Sequence, residues 1–156
     1  MFRLIKKLIQ LGLIMVILVG SAIGLLGYFH YKNAIAEVPI REKIASVQED
    51  ENFVPLEEIN PDFTDAIVAI EDHRFYEHGA FDLISLARAS VANLRAKDIA
   101  QGGSTITQQV AKNLYFSYDQ TFIRKVAELF TAFDLERMYS KDDILELYVN
   151  IIYYGD

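Results

Sequence analysis

Three short segments hold side chains that could do chemistry. The first is Glu71-Asp72-His73-Arg74-Phe75-Tyr76-Glu77-His78, which follows the apolar stretch Ala66-Ile67-Val68-Ala69-Ile70. Glu71 therefore stands where a buried helix gives way to a polar loop. A carboxylate in a half-apolar cleft is harder to ionise than one in water and can work as a general base or acid. Taken alone, the segment reads more readily as a solvated helix end. The second segment is Gln101-Gly-Gly-Ser-Thr-Ile-Thr-Gln-Gln109, followed by Lys112-Asn113. Two glycines ahead of a helix let the backbone come close to a ligand, and the first turn of that helix offers N–H groups to an anion. The third is Arg124-Lys125-Val126-Ala127-Glu128. On a helix, Glu128 is one turn from both cations. The neighbours Phe122, Ile123, Leu129, Phe130 and Phe133 make that helix mostly buried, and a buried cluster of charges calls for a functional reason.

The chemistry these segments exclude is as informative. The chain has no cysteine, so thiolate nucleophiles, thiolate metal sites and disulfides are ruled out. The spacing of a phosphate-binding Gly-rich loop is absent, as are zinc and nucleophile-elbow motifs. Residues 37–156 carry 22 acidic and 11 basic side chains, a poor surface for nucleic acid.

The elements that must position these groups can be read from caps and periodicity. Asn60-Pro61 opens a helix that runs to about Asp72. Asp82 caps a second, from Leu83 to about Lys97. A third starts near Ser104 or Thr105 and ends near Asn113. A fourth spans about Gln120 to Tyr139. Ser140 and Asp143 form a capping box for a fifth, with Ile144, Leu145, Tyr148 and Val149 facing a core. Strand signals are scarce apart from Phe53-Val54, so the fold class is all-α.

Ahead of this domain, residues 8–31 contain no Asp, Glu, Lys or Arg. About 20 apolar residues cross a hydrocarbon core of roughly 30 Å, and this stretch lacks the polar stripe of a soluble helix. Tyr28, Phe29 and Tyr31 suit an aromatic interface belt. Arg3, Lys6 and Lys7 place residues 1–7 in the cytoplasm and the remainder outside. Ala34-Ile35-Ala36 resembles a signal-peptidase site, but the apolar run exceeds the usual signal core, which favours a retained anchor. Residues 32–60 read as an acidic stalk, and residues 61–156 as the globular domain. The apolar end, Ile151-Ile-Tyr-Tyr154, reads as a domain cut short and exposed, with little polymerase activity expected of residues 1–156 alone.

In order, Glu-Asp-x-x-Phe-x-x-His at 71–78, Gly-Gly-Ser-Thr-Ile-Thr-Gln-Gln-x-x-Lys-Asn at 102–113, Arg-Lys-x-x-Glu at 124–128 and Lys-x-x-Ile-Leu-Glu-x-Tyr-x-Asn at 141–150 resemble four motifs of the peptidoglycan glycosyltransferase family. This is the lysozyme-like domain of class A penicillin-binding proteins and monofunctional glycan polymerases. The resemblance covers roughly residues 54–156.

It implies an inverting enzyme that polymerises lipid II and releases undecaprenyl pyrophosphate. Glu71 matches the catalytic base and Glu128 a second catalytic carboxylate, with a divalent cation, Mg or Mn, as its implied metal; no organic cofactor is implied. Lys112 matches a cation that steadies the pyrophosphate. Ser104, Thr105, Gln108, Gln109, Arg124 and Lys125 match the substrate cleft, with Asp72, Phe75 and His78 from the first motif beside them. Implied partners are lipid II, the growing glycan strand, the membrane and other cell-wall synthesis proteins, with no nucleic acid.

Three departures stand out. Gly79 directly follows His78, Gln120 falls where the family has a second cation, and a fifth motif is missing. A non-catalytic fragment and a lytic glycosidase on the same scaffold are the competing readings. The polar segment ending in Lys112 favours a phosphorylated donor over simple hydrolysis.

Overall fold

The computed structural model describes residues 2–96, 102–116 and 121–152. Among the described residues there are seven α-helices, two short 3-10 turns and no strand. The helices are α1 (Phe2–Glu37), α2 (Ile40–Gln48), α3 (Pro61–Glu71), α4 (Leu83–Ala96), α5 (Ile106–Tyr115), α6 (Phe122–Met138) and α7 (Lys141–Ile151).

Side-chain caps set most of the boundaries. Asn60 accepts from Asp62 N with Pro61 in the first turn of α3, and Thr105 accepts from Gln108 N at the start of α5. Thr121 accepts from Arg124 N at α6, and Ser140 and Asp143 form the expected capping box on α7. Each cap of this kind is worth about 1 kcal/mol, because it satisfies a donor the helix leaves free.

α5 is the hub. Its Ile106, Val110, Ala111 and Leu114 are buried against Ala132 and Leu135 of α6 and Ile144, Leu145, Leu147 and Tyr148 of α7. The packed face of α6 differs from the expected one. Ala127, Glu128, Thr131, Ala132 and Leu135 are buried, whereas Phe122 is 79% exposed and Phe130 and Phe133 are partly so. Small residues allow α5 and α6 to approach closely, so the phenylalanines are left to the flanks. Phe130 rings meet Tyr28 and Tyr31 of α1, and Phe133 meets Phe81.

The segment expected as a stalk is built into the domain. Ile40 and Ile44, one turn apart on α2, enter the core. The expected strand at Phe53-Val54 is replaced by a side chain: Asn150 accepts from Val54 N at 2.8 Å and donates to Val54 O at 2.9 Å. Ile151 and Ile152, expected to lie exposed, pack partly buried against the same core; Tyr153 and Tyr154 lie outside the described residues.

α1 is long and apolar enough to cross a membrane, and its apolar window is unburied in the fold. Its last turns dock on α6. A Cβ on Gly27 would lie 2.5 Å from Val126 Cβ, so only glycine permits this approach. The Tyr31 hydroxyl donates to Asp134, and Tyr31 is buried with Phe116 and Ala127. Ala34 and Ile35, the sequence's cleavage-like residues, sit within this docked helix. Outside α1, α4 is sparsely covered. Leu83, Ile84, Leu86, Val91 and Leu94 are all exposed, and only Ala89 is buried.

Candidate active site

A cleft of about 830 Å³ opens between the end of α3, α4 and the first turns of α5 and α6. Glu71, Ser104, Gln109, Lys112, Arg124, Lys125 and Glu128 all line it. Three segments spread over 58 residues of sequence thus meet at one surface.

Glu71 ends α3, where buried helix gives way to loop, and its side chain is exposed to the cleft. Its Oε2 accepts a hydrogen bond from Gln109 Nε2 at 2.9 Å. Across the cleft Glu128 is fully buried on α6. Arg124 Nε is 2.8 Å from its Oε1, and Lys125 Nζ donates to its Oε2 at 2.9 Å. Lys125 also donates to Ser104 Oγ at 2.9 Å, which joins the Gly-Gly segment to α6. Two cations face this one carboxylate, so the cluster presents a net positive charge at the cleft wall. That arrangement suits an anionic ligand.

It does not suit a metal at Glu128. Both carboxylate oxygens already face cations, so a divalent ion there would meet Arg124 and Lys125 before a ligand. The Asp72, His78 and Asp82 side chains also converge within 4.8 Å. They are engaged in hydrogen bonds that hold the loop, as follows.

Asp72 is buried beside Glu71. Its Oδ2 accepts from Ile106 N at 3.1 Å, and its Oδ1 is 2.8 Å from His78 Nε2. His78 Nδ1 faces Gly79 O at 2.7 Å. The anion expected at the N-terminus of α5 is therefore supplied by the protein: the Asp72 carboxylate takes that N–H, and Thr105 takes the N–H of Gln108. Thr105 Oγ1 and Gln108 Nε2 both donate to Ala80 O at 3.1 Å, so these two residues hold the 79–82 loop from the cleft floor. Phe75, expected in the substrate-binding set, lies off the cleft lining. It is completely buried in the core with the Lys141 ammonium 4.2 Å from its ring centre. His78 also lies off the cleft lining. Gly103 serves packing: a Cβ there would come 3.1 Å from Leu86 Cδ1 on α4. Gln101 and Gln120 lie outside the described residues.

Sequence reasoning missed the α4 wall. His73, Ser85 and Arg88 line the cleft, with Arg88 Nη1 3.0 Å from His73 Nε2 and Nη2 donating to Ser85 Oγ at 2.8 Å. The available signal was the one-turn spacing of Ser85 and Arg88 on a helix whose other residues are mostly apolar.

The fourth motif stands apart from the cleft. Lys141 pairs with Glu136 at 2.7 Å, Glu146 Oε2 accepts from Leu56 N at 2.7 Å, and Asn150 clasps Val54. The first ties α7 to α6, and the other two fasten the segment before α3 to α7.

Comparison with known proteins follows the same outline. The family described as Transglycosylase matches residues 38–156, which begin just after α1 and include the α2 segment. A putative transglycosylase of Cupriavidus necator is 44% identical over 119 residues, covering 76% of this chain and 51% of the relative. A monofunctional glycosyltransferase of Staphylococcus epidermidis is 43% identical over 115 residues, covering 74% of this chain and 42% of the relative. Penicillin-binding protein 1F of Bacillus subtilis is 37% identical over 172 residues, covering 99% of this chain and 24% of the relative. The chain thus spans about half or less of the length of these relatives. With residues 38–156 matched by the family model, the chain belongs to the transglycosylase family.

Proposed function

We propose that this chain carries the catalytic cleft of a peptidoglycan glycosyltransferase that joins lipid II units and releases undecaprenyl pyrophosphate. The observation that carries this reading is the pairing of one exposed carboxylate, Glu71, with the cationic wall of Lys112, Arg124 and Lys125 in a single cleft. Inverting displacement at a sugar needs a base on the attacking hydroxyl and a stabilised leaving group. Glu71 takes the proton of the acceptor hydroxyl as that oxygen attacks the donor's anomeric carbon. The bond to the pyrophosphate breaks on the opposite face. Lys112, Arg124 and Lys125 stabilise the charge that develops there, so a strong general acid is unnecessary. Glu128 holds Arg124 and Lys125 in place for this role. The mechanism runs without a metal at Glu128.

The same reading makes the protein a single-pass membrane protein with a cytoplasmic N-terminus. Leu8 to Gly27 would cover about 30 Å as a helix, enough for the hydrocarbon core. Gly27 is the residue that meets Val126 and the backbone of Ile123 on α6. The start of α6, with Arg124 and Lys125, then lies at the outer membrane surface, where a pyrophosphate on a polyprenyl chain is also found.

The test is Glu71→Gln, which keeps the shape and the hydrogen bond but removes the base. Lipid II polymerisation by the full-length membrane protein in detergent should fall at least about 100-fold, the usual scale for losing a general base. Normal turnover would overturn the assignment. Muramidase activity on purified sacculi without lipid II would favour the lytic reading instead.

A further inference from the structure

Glu71 is held from two sides by α5. Its neighbour Asp72 takes the N–H of Ile106 at 3.1 Å, which ties the end of α3 to the first turn of α5. One turn further, Gln109 Nε2 donates to Glu71 Oε2 at 2.9 Å. The other end of that amide faces α7: the Tyr148 hydroxyl donates to Gln109 Oε1 at 3.4 Å. Tyr148 is 1% exposed and lies off the cleft lining, so a substrate cannot touch it.

This chain of contacts has a direction. The carboxylate only accepts and so takes the amide nitrogen, which leaves the amide oxygen for the Tyr148 hydroxyl proton. The reversed amide would set its oxygen against Glu71, two acceptors facing each other, which is unfavourable in a partly desolvated cleft. An amide is also neutral and does not exchange its proton with the carboxylate. It therefore restrains Oε2 and leaves Oε1, which has no hydrogen-bond partner among the described residues, for the incoming proton.

We infer that Gln109 is a positioning residue that aims Glu71, and that Tyr148 fixes the direction of its amide from within the core. The inference rests on Glu71 being the base. It assigns Gln109 a task other than binding sugar, and it gives the fourth motif one thread into the chemistry.

The test is a double-mutant cycle on the full-length membrane protein with lipid II as substrate, run beside Glu71→Gln. Gln109→Met keeps the length of the side chain and removes the amide. It should lower kcat by roughly 10- to 100-fold, the scale of a small misplacement of a catalytic group, with KM for lipid II unchanged. Tyr148→Phe keeps the ring and should lower kcat by a few-fold, again without a change in KM, and should have no effect in the Gln109→Met background. A rise in KM with kcat intact would make Gln109 a substrate contact and overturn the inference. So would an equal effect of Tyr148→Phe in both backgrounds, which would mark a purely structural role. If Glu71→Gln is active, the base assignment itself has failed. If Glu71→Gln is inactive while Gln109→Met turns over normally, only the positioning role has failed.

Discussion

The rim of the cleft and helix α7 look alike in sequence and do opposite work. Both present charged and amide side chains at helical spacing between apolar residues. At the rim, Glu71, Lys112 and Lys125 reach solvent in a shared cleft, and Glu128 is buried behind them against Arg124 and Lys125. On α7, Lys141, Glu146 and Asn150 are spent on the protein: on Glu136, on the N–H of Leu56 and on both backbone groups of Val54. Resemblance to a family motif does not separate a group that meets substrate from one that satisfies a stray backbone donor. Burial and partners do.

The sharpest way to break this comparison is at Glu128, which belongs to both kinds. Glu128→Leu fills the space but removes the carboxylate that faces both the Arg124 guanidinium and the Lys125 ammonium. Removing one partner of such a pair costs about 3–5 kcal/mol, so the variant should lose both thermal stability and polymerase activity. Melting followed by circular dichroism checks the first, and lipid II turnover the second. A variant as stable as the parent would mean that the cluster is solvated.

Next in size is a matched pair on the two sides of the comparison. Asn150→Ala removes both hydrogen bonds to Val54 and should cost about 1–2 kcal/mol, a fall in Tm of roughly 5–10 °C for a domain this size. Its activity per folded molecule should be unchanged. Lys112→Ala should do the reverse, weakening donor binding with little change in Tm, because substitutions at a partly exposed surface position usually shift stability by no more than about 0.5 kcal/mol. Calorimetry and lipid II binding on both variants decide the matter. If the two profiles were exchanged, the roles given to the two helices would be wrong.

The sequence made one side of this contrast more legible than the other. Helix starts were readable because each carries its own chemistry: Asn60-Pro61, Asp82, Thr105 and Ser140 with Asp143 all cap as their types require. Glu71 at the end of an apolar helix and the one-turn spacing of Arg124, Lys125 and Glu128 were readable for the same local reason. What could not be read was pairing over distance. Nothing local shows that Asn150 reaches back to Val54, that Asp72 supplies the anion for α5, or that Lys141 lies over Phe75. The acidic segment 32–60 looked like a stalk because its composition is polar, yet two isoleucines one turn apart suffice to seat α2 in the core. The aromatic face of α6 misled for a related reason: close helix packing selects small residues, so size alone did not mark the buried side.

The smallest expected effect concerns Asp82, which ends the loop before α4 and serves as its cap. Burial pushes its carboxyl up. Hydrogen bonds from the Ser85 hydroxyl and backbone N–H and from the Ile84 N–H, with Arg74 close by, outweigh that and pull it down to about 2. A carboxyl held below its ordinary 3.8 stabilises the fold at all pH values above about 4. That contribution is lost as pH falls toward 2, where the folded form also takes up its proton. Asp82→Asn keeps the capping oxygen and removes only the charge. The variant should be less stable than the parent by about 1 kcal/mol at pH 6, the usual scale for a carboxylate at a helix N-terminus. The difference in Tm should narrow between pH 4 and pH 2 and vanish at the acid end. A gap that stayed constant across that range would show that the hydrogen bonds, and not the charge, make Asp82 useful to α4.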